Sequence, residues 1–193
     1  MQDRFDGGGG NDVLRGDRGY DELFGGPGDD ITDGGPGRDM LWYYPGMPGP
    51  VRVDLGRGRG SSRAGGLDRI FGIEAVHGTE RADVLIGDGA ANLLIGFGGA
   101  DLLIGRGGHD ALTGDEANDR LFGGPGRDVL NGGSAHDVIV GGPNSDRFLG
   151  GRGRDRLRAR DGARDSIDGG GDFDAASIDL RLDRVRRVEI VAH

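Results

Sequence analysis

Aspartate recurs every nine residues through most of this chain, and no other residue has a more regular spacing. In GGPGRDVLN (Gly123–Asn131), glycine occupies positions 1, 2 and 4, aspartate position 6 and leucine position 8. Thirteen such nonapeptides form two unbroken runs, from Gly7 to Trp42 and from Gly78 to Arg158. Position 6 is aspartate in twelve of them, and Asn92 is the exception. Carboxylates repeated at a fixed interval could bind a row of cations.

The number of ligands sets how such a cation would be held. Calcium takes about six to eight oxygen ligands from carboxylates and backbone carbonyls. One glycine-rich turn offers one carboxylate and a few carbonyls, so a site must be shared between two turns. The alternative is a metal-free β-solenoid whose aspartates only form turn hydrogen bonds. Asparagine and serine would serve such turns nearly as well but hardly occur at position 6, which favours cation sites.

The residue types around each aspartate predict the elements that position it. Glycines at positions 1, 2 and 4 permit a tight turn in conformations that a Cβ would forbid. Positions 7 to 9 are mostly apolar and predict a very short strand, with position 8 on the opposite face from its neighbours. One repeat cannot bury its own apolar residue, so repeats must stack. The predicted interior ladder is Leu14, Leu23, Leu41, Leu85, Leu94, Leu103, Leu112, Leu121, Leu130, Ile139, Phe148 and Leu157.

Composition excludes several classes of function. With 44 glycines and 7 prolines in 193 residues, the chain would be expected to be disordered if it had no period. Cysteine is absent and all 24 basic residues are arginine, which excludes disulfide, thiolate and lysine chemistry. The net charge of −9 argues against a nucleic-acid partner. The sequence has no HExxH, GxSxG or paired nucleophile and base, so we do not expect an enzyme.

No segment of the sequence is typical of membrane insertion or of a signal peptide. The apolar runs are too short for a transmembrane segment. The first residues, MQDRFDGGGG, lack the apolar region of a signal peptide.

The period divides the chain into four predicted segments. These are a short repeat array (7–42), a strand–loop–strand excursion (43–77), the main array (78–158), and degenerate repeats with C-terminal capping strands (159–193). In the excursion we predict a strand at Val51–Leu55 and an exposed loop at Arg57–Gly66. The excursion and the C-terminus share the form [VI]DL…LDR…[IV]E. If Ala159 is a one-residue insertion, the repeat frame continues from 160 to 177.

The nonapeptide GGxGxDxUx resembles the repeat of the RTX (repeats-in-toxin) calcium-binding family. The resemblance covers both repeat runs strongly and the closing segments weakly. It implies an all-β fold, a right-handed parallel β-roll (a β-solenoid) with two nonapeptides per coil, so that repeats eighteen residues apart stack. It also implies several bound Ca²⁺ ions and an extracellular, secreted protein. The arginine-rich C-terminus departs from the family's usual export signal, so the export route is open.

The resemblance also implies the calcium ligands. Each ion takes the carbonyls of positions 2 and 4 and the position 6 carboxylate of one turn. It takes the carbonyls of positions 1 and 3 and the next carboxylate from the turn eighteen residues on. The implied carboxylates are Asp12, Asp21, Asp30, Asp39, Asp83, Asp101, Asp110, Asp119, Asp128, Asp137, Asp146 and Asp155. The implied turn residues are Gly8, Gly10, Gly25, Pro27, Gly96, Gly98, Gly99, Gly105, Gly107, Gly108, Gly114, Gly123, Gly124, Pro125, Gly126, Gly132, Gly133, Gly141 and Gly142.

Some repeats depart from the family pattern. Phe97, Arg106 and Asp115 replace glycine at position 2, where they still offer a carbonyl if they adopt the turn geometry. We expect the weakest sites around Asp83 and Asn92, because position 4 is not glycine in either repeat and Asn92 brings no charge.

One predicted sheet face is apolar and needs an explanation. Its outward residues are Val84, Ile86, Leu102, Ile104, Phe122, Val138 and Val140. Such a stripe is typical of an interface, either with a protein partner or through self-association. The alternative is cover by the excursion, through Trp42, Tyr43 or Tyr44.

The sequence predicts calcium binding and calcium-dependent folding of a secreted structural or interaction module. The alternatives are a non-catalytic accessory domain of a secreted hydrolase (protease or lipase) and an adhesin segment.

Overall fold

Two stacked β-sheets make up almost all the regular structure. The computed structural model describes residues 2–43, 47, 49–62 and 66–192. Apart from one 3₁₀ turn at Leu55–Arg57, every described element is a strand. No helix among the described residues has the length and apolar character needed to cross a membrane.

The strands alternate between the two sheets along both repeat arrays. The ten-stranded sheet contains, in spatial order, β1 (Arg4–Asp6), β3 (Glu22–Phe24), β5 (Met40–Trp42), β9 (Ala75–His77), β11 (Leu93–Phe97), β13 (Ala111–Glu116), β15 (Val129–Ser134), β17 (Arg147–Arg152), β19 (Ser166–Gly171) and β21 (Arg184–Arg186). The twelve-stranded sheet contains β2 (Val13–Arg15), β4 (Ile31–Asp33), β8 (Gly66–Phe71), β7 (Arg59–Ser62), β6 (Val51–Asp54), β10 (Val84–Ile86), β12 (Leu102–Ile104), β14 (Arg120–Phe122), β16 (Val138–Val140), β18 (Arg156–Arg158), β20 (Ala175–Ser177) and β22 (Ile190–Ala192).

Successive coils stack in register at eighteen residues. Leu85 pairs with Leu103 in the twelve-stranded sheet, and Leu94 pairs with Leu112 in the ten-stranded sheet, both in parallel. One coil therefore contains two nonapeptides, one strand in each sheet. The predicted all-β, parallel β-roll is confirmed.

Position 8 fills the space between the sheets. Its side chains are buried while those at positions 7 and 9 are mostly partly exposed, as the alternation along a strand requires. Every residue of the predicted ladder is at most 9% exposed: Leu14, Leu23, Leu41, Leu85, Leu94, Leu103, Leu112, Leu121, Leu130, Ile139, Phe148 and Leu157. These side chains from both sheets form one continuous core, which exists only because neighbouring repeats stack.

After the main array the stacking interval lengthens by one residue. Phe148 pairs with Ile167, and Leu157 pairs with Ala176, at intervals of nineteen. Ala159 is 2% exposed, so the extra residue is accommodated inside the roll. The predicted one-residue insertion is confirmed.

The excursion adds three antiparallel strands, β6 to β8, to the twelve-stranded sheet. We call Val51–Phe71 the insert. The predicted exposed loop at Arg57–Gly66 is wrong for its described residues, since β7 lies within it and pairs with both β6 and β8. Gly60 is buried there, and a Cβ on it would collide with the Tyr43 hydroxyl. Glycine in this stretch permits close packing and does not signal a loop.

The insert extends the sheet and does not cover it. It lies edge to edge between β4 and β10, while Trp42 belongs to the other sheet and Tyr43 is in the core. Cover of the apolar stripe by the described excursion residues is therefore not observed, and Tyr44 lies outside the described residues. Most of the stripe is partly exposed; only Ile86, at 7%, is buried.

Candidate metal centre

Aspartates at position 6 stack into two columns, one on each side of the roll. The Asp110 amide donates to Oδ1 of Asp128, and the Asp128 amide to Oδ1 of Asp146, both at 2.8 Å. We call the column leading into the ten-stranded sheet the first aspartate edge: Asp21, Asp39, Asn92, Asp110, Asp128, Asp146 and Asp165. The second aspartate edge leads into the twelve-stranded sheet: Asp12, Asp30, Asp83, Asp101, Asp119, Asp137, Asp155 and Asp174. Each predicted aspartate therefore lies beside its expected partner.

The second oxygen of these carboxylates is buried and has no hydrogen-bond partner. This is true of Oδ2 in Asp12, Asp21, Asp30, Asp39, Asp101, Asp110, Asp119, Asp128, Asp137, Asp146, Asp155, Asp165 and Asp174. An unpaired buried polar atom costs roughly 1–3 kcal/mol, and an unpaired charge more. Buried atoms of this kind are rare in folded proteins unless a ligand completes them. A column of such oxygens is available to bind cations.

Backbone carbonyls of the turns point toward the neighbouring coil. A methyl group on Gly124 would collide with the carbonyl oxygen of Arg106, and one on Gly126 with that of Gly108. Positions 2 and 4 of one coil therefore direct their carbonyls at the next coil. Carbonyl and carboxylate oxygens are the ligands that calcium prefers.

Acidic side chains alone would not reveal this site. Within the described ranges, no group of three or more histidine, cysteine or acidic side chains could hold a metal ion. Each prospective site has two carboxylates, from neighbouring coils, and the remaining protein ligands must be main-chain carbonyls. The residues fit calcium, whose shell is commonly built in this way.

The turn glycines have two different roles. At position 2 the backbone is left-handed at three residues of the main array that are not glycine, with φ of 74° at Phe97, 75° at Arg106 and 77° at Asp115. Thr79 and Asp88, at position 2 of the repeats of Asp83 and Asn92, are not left-handed. Position 1 is different: Gly105 is not left-handed, so the expected conformational role there is wrong. A Cβ on Gly105 would collide with Asp110 Oδ2 and lie 2.6 Å from the Gly123 carbonyl oxygen. Position 1 is glycine for space.

The remaining predicted turn residues occupy equivalent places. The Gly10 amide donates to the Pro27 carbonyl at 2.8 Å, so the short array repeats the geometry of the main one. The others lie in the turns or at the adjoining strand ends of both edges: Gly8, Gly25, Gly96, Gly98, Gly99, Gly107, Gly114, Pro125, Gly132, Gly133, Gly141 and Gly142.

The repeats of Asp83 and Asn92 are built differently. Both oxygens of Asp83 are engaged, Oδ1 by the Val51 amide and Oδ2 by the Thr79 amide and hydroxyl. Oδ1 of Asn92 accepts from the Asp88 amide at 2.8 Å. These oxygens already accept hydrogen bonds that compete with a cation, which agrees in direction with the weak sites expected here.

Burial changes the acidity of the aspartates. It raises the pKa of Asp101 to about 8, with help from the Asp119 and Asp83 carboxylates and against the hydrogen bond from the Asp83 amide. Burial likewise raises the pKa to about 7 at Asp119, Asp137 and Asp146. It raises the pKa to about 6 at Asp110, Asp165 and Asp174. The metal-free edges therefore disfavour the charged carboxylate, and a bound cation would restore it.

Four acidic residues outside the thirteen strict repeats complete the columns. Asp68 and Glu74 accept the amides of Asp30 and Asp39 where the short array ends. At the other end, the amides of Asp165 and Asp174 donate to Asp183 and Glu189. These four are the acidic residues of LDR…[IV]E, so the shared motif carried the signal, but sequence reasoning assigned them no role. The last coil needs an acceptor that no further repeat supplies.

Comparison with known families assigns the repeats. A model described as the RTX calcium-binding nonapeptide repeat matches four times, at residues 6–41, 77–112, 113–148 and 140–175, which is more than half of the chain. No curated protein sequence matches the chain. Repeats of this kind bind calcium ions in a β-roll and are typical of secreted proteins. Both the stacked aspartates and the sequence match lead to one conclusion: the chain belongs to the RTX calcium-binding nonapeptide repeat family.

Proposed function

We propose that the two aspartate edges are the calcium sites, and that calcium supplies much of the free energy that folds the roll. The observation that carries this proposal is the register of buried, unpartnered Oδ2 atoms along both edges. Each ion would lie between turns eighteen residues apart. Calcium would supply positive charge between the carboxylates, while the chain supplies the oxygens.

One pair of turns shows the proposed division of ligands. The lower turn would contribute Asp110 and the carbonyls of Arg106 and Gly108, two carbonyls that point at the next coil. The upper turn would contribute Asp128 and the carbonyl of Gly123, which lies in the space beside Gly105. The Pro125 carbonyl accepts from the Gly108 amide at 3.1 Å and keeps a second lone pair. Neither turn has enough oxygens alone.

Electrostatics connects binding to folding. Strands of a sheet lie about 4.8 Å apart. Carboxylates stacked at such intervals repel one another unless a cation lies between them. Ordering glycine-rich turns also costs more conformational entropy than ordering other residues. Binding free energy therefore becomes folding free energy.

The biological role that these properties support best is a structural or interaction module that folds where calcium is abundant, outside the cell. The repeats have a structural core and no described group suited to catalysis. An accessory domain of a secreted hydrolase, or an adhesin segment, would depend on the same calcium-dependent folding.

A calorimetric calcium titration of Asp128→Asn tests the assignment of ligands. Asp128 belongs to two sites, one shared with Asp110 and one with Asp146, so we expect two ions to bind at least about tenfold more weakly. The second aspartate edge should be unchanged. Glu116→Gln, which removes one exposed charge at the end of strand β13, is the matched control and should bind like the wild type. Wild-type binding by Asp128→Asn would contradict the assignment.

A further inference from the structure

The outer face of the insert forms a cavity rich in arginine. The cavity has a volume of about 770 Å³ and its lining includes Arg52, Arg57, Arg59 and Arg69. These side chains come from all three insert strands and the turn between β6 and β7. Nothing in the calcium sites requires this arrangement, because the insert interrupts the repeat.

The arginines are held together by strand pairing. Arg59 lies directly opposite Arg69 on the antiparallel strands β7 and β8, and Arg52 lies opposite Ser61. Like charges opposite one another on neighbouring strands are destabilising. Among the described residues, no ion pair offsets this repulsion: Arg57 lies 3.7 Å from Asp54, but Arg52, Arg59 and Arg69 have no carboxylate within salt-bridge distance.

Three of the four acidic residues of the same cavity are engaged elsewhere, and the fourth, Asp30, belongs to the second aspartate edge. Asp54 forms its shortest ion pair, 2.9 Å, with Arg106. Asp68 accepts from the Asp30 amide and the Tyr43 hydroxyl with its two oxygens. Asp29 accepts the Leu67 amide at 2.8 Å. The exposed guanidinium groups are therefore left to bind something else.

We infer that this cavity binds a saccharide carrying sulfate or phosphate groups. Guanidinium groups donate paired hydrogen bonds to such oxyanions. Two arginines on neighbouring strands would bind one sulfate or phosphate group from both sides. The hydroxyl of Ser61 lies on the same face, and Leu67, 72% exposed, offers an apolar surface to a sugar ring.

The charge of the whole chain selects the kind of ligand. The net charge of −9 repels extended anionic surfaces, so a flat anionic membrane is disfavoured. Three of the four carboxylates that line the cavity, Asp30, Asp54 and Asp68, are buried, whereas its arginines are exposed, so a small ligand meets the arginines first. A sulfated or phosphorylated saccharide satisfies this requirement, and its binding adds a function that calcium binding alone does not provide.

Titration of a sulfated hexasaccharide into the calcium-saturated protein tests the inference. Arg59→Gln/Arg69→Gln should weaken binding at least about tenfold, since it removes two sets of charge-assisted hydrogen-bond donors. The matched control is Arg156→Gln/Arg158→Gln, which removes two exposed arginines from the outer face of the same sheet at β18. That variant should bind within about twofold of the wild type. Far-UV circular dichroism and calcium stoichiometry, measured on all three proteins, establish that each is folded.

Three results would overturn the inference. They are no binding of the hexasaccharide by the wild type, equal loss in both double variants, and binding to phosphatidylglycerol vesicles without binding to the hexasaccharide. The last would assign the arginines to a membrane surface. Because the folded state is checked separately, failure here is distinguishable from failure of the calcium assignment.

Discussion

The repeat arrays and the insert use buried aspartate in opposite ways. In the arrays, Asp128 has one oxygen bound to the neighbouring coil and the other without a partner. In the insert, both oxygens of Asp68 accept hydrogen bonds from protein groups. Asp83, the first aspartate after the insert, is also fully engaged. The two regions therefore differ in what we propose completes their carboxylates: calcium in the arrays, and the chain itself in the insert.

This difference between arrays and insert predicts which part of the fold depends directly on calcium. The insert buries Val51, Val53 and Ile70 and pairs its three strands without any glycine-rich calcium turn. It should lose structure because its neighbours unfold, and not because its own ligands are missing. We expect the arrays to respond to calcium directly and the insert to respond only through them.

The largest effect of a single substitution should come from position 1 of an array turn. Gly105→Ala places a methyl group against Asp110 Oδ2 and the Gly123 carbonyl, so the coil must distort. We expect the free energy of unfolding to fall by about 1–3 kcal/mol or more, and the calcium site to be lost. Gly107→Ala is the matched control, because its methyl group would have only the Pro125 oxygen near it, at 3.7 Å. Denaturation in saturating calcium measures both, and equal losses would refute the steric role of position 1.

The next prediction compares the effect of removing an array carboxylate with that of removing an insert carboxylate. Asp137→Ala removes a proposed ligand from two sites, so its deficit in stability should grow as calcium rises, because fewer ions bind the folded state. Asp68→Ala should lower the free energy of unfolding by about 1–3 kcal/mol for each group that it leaves unpaired. This decrease should be the same at every calcium concentration that folds the protein. Denaturation at several calcium concentrations gives both dependences. If the deficit of Asp68→Ala also grew with calcium, the contrast between array and insert would be lost.

The smallest predicted effect concerns pH at the junction of excursion and main array. Burial lowers the pKa of His77 from 6.5 to about 4, and its ring centroid lies 3.8 Å from that of Trp42. The folded state thus favours the neutral ring, whose contribution to stability is complete above pH 6.5 and is lost as the pH falls toward 4. Trp42 is the single tryptophan, so its fluorescence reports the protonation of His77.

His77→Phe supplies the control for this titration. In saturating calcium, the variant should lose the part of the fluorescence change between pH 6.5 and 4 that belongs to the imidazole. Release of calcium by acid affects both proteins alike. Identical titrations of the variant and the wild type would show that His77 has no part in it.

The repeats made most of the fold predictable. The nine-residue period identifies the equivalent positions and the buried side chain of each repeat. The stacking interval of eighteen residues, and with it the pairing of Asp110 with Asp128, was implied by the resemblance to the RTX family. The same logic located the one-residue insertion at Ala159, since the period resumed after it. Periodic sequence specifies stacking as well as local structure.

Where the period fails, composition misleads. The segment around Gly60 looks like a loop because it is rich in glycine and serine, yet it is a strand whose glycine makes room for Tyr43. The roles of Asp68 and Glu74 were also missed, although LDR…[IV]E contains both. Their function depends on which amides lie opposite them, Asp30 and Asp39, and that follows only from the stacked structure.

The central claim is that calcium completes the two aspartate edges and thereby folds the roll. Far-UV circular dichroism of the wild-type protein, in excess chelator and in millimolar calcium, tests it most directly. The account predicts a largely unfolded chain in chelator and a β-rich spectrum in calcium, with calcium restoring the folded spectrum reversibly. A β-rich spectrum of the same shape and amplitude in chelator would contradict it.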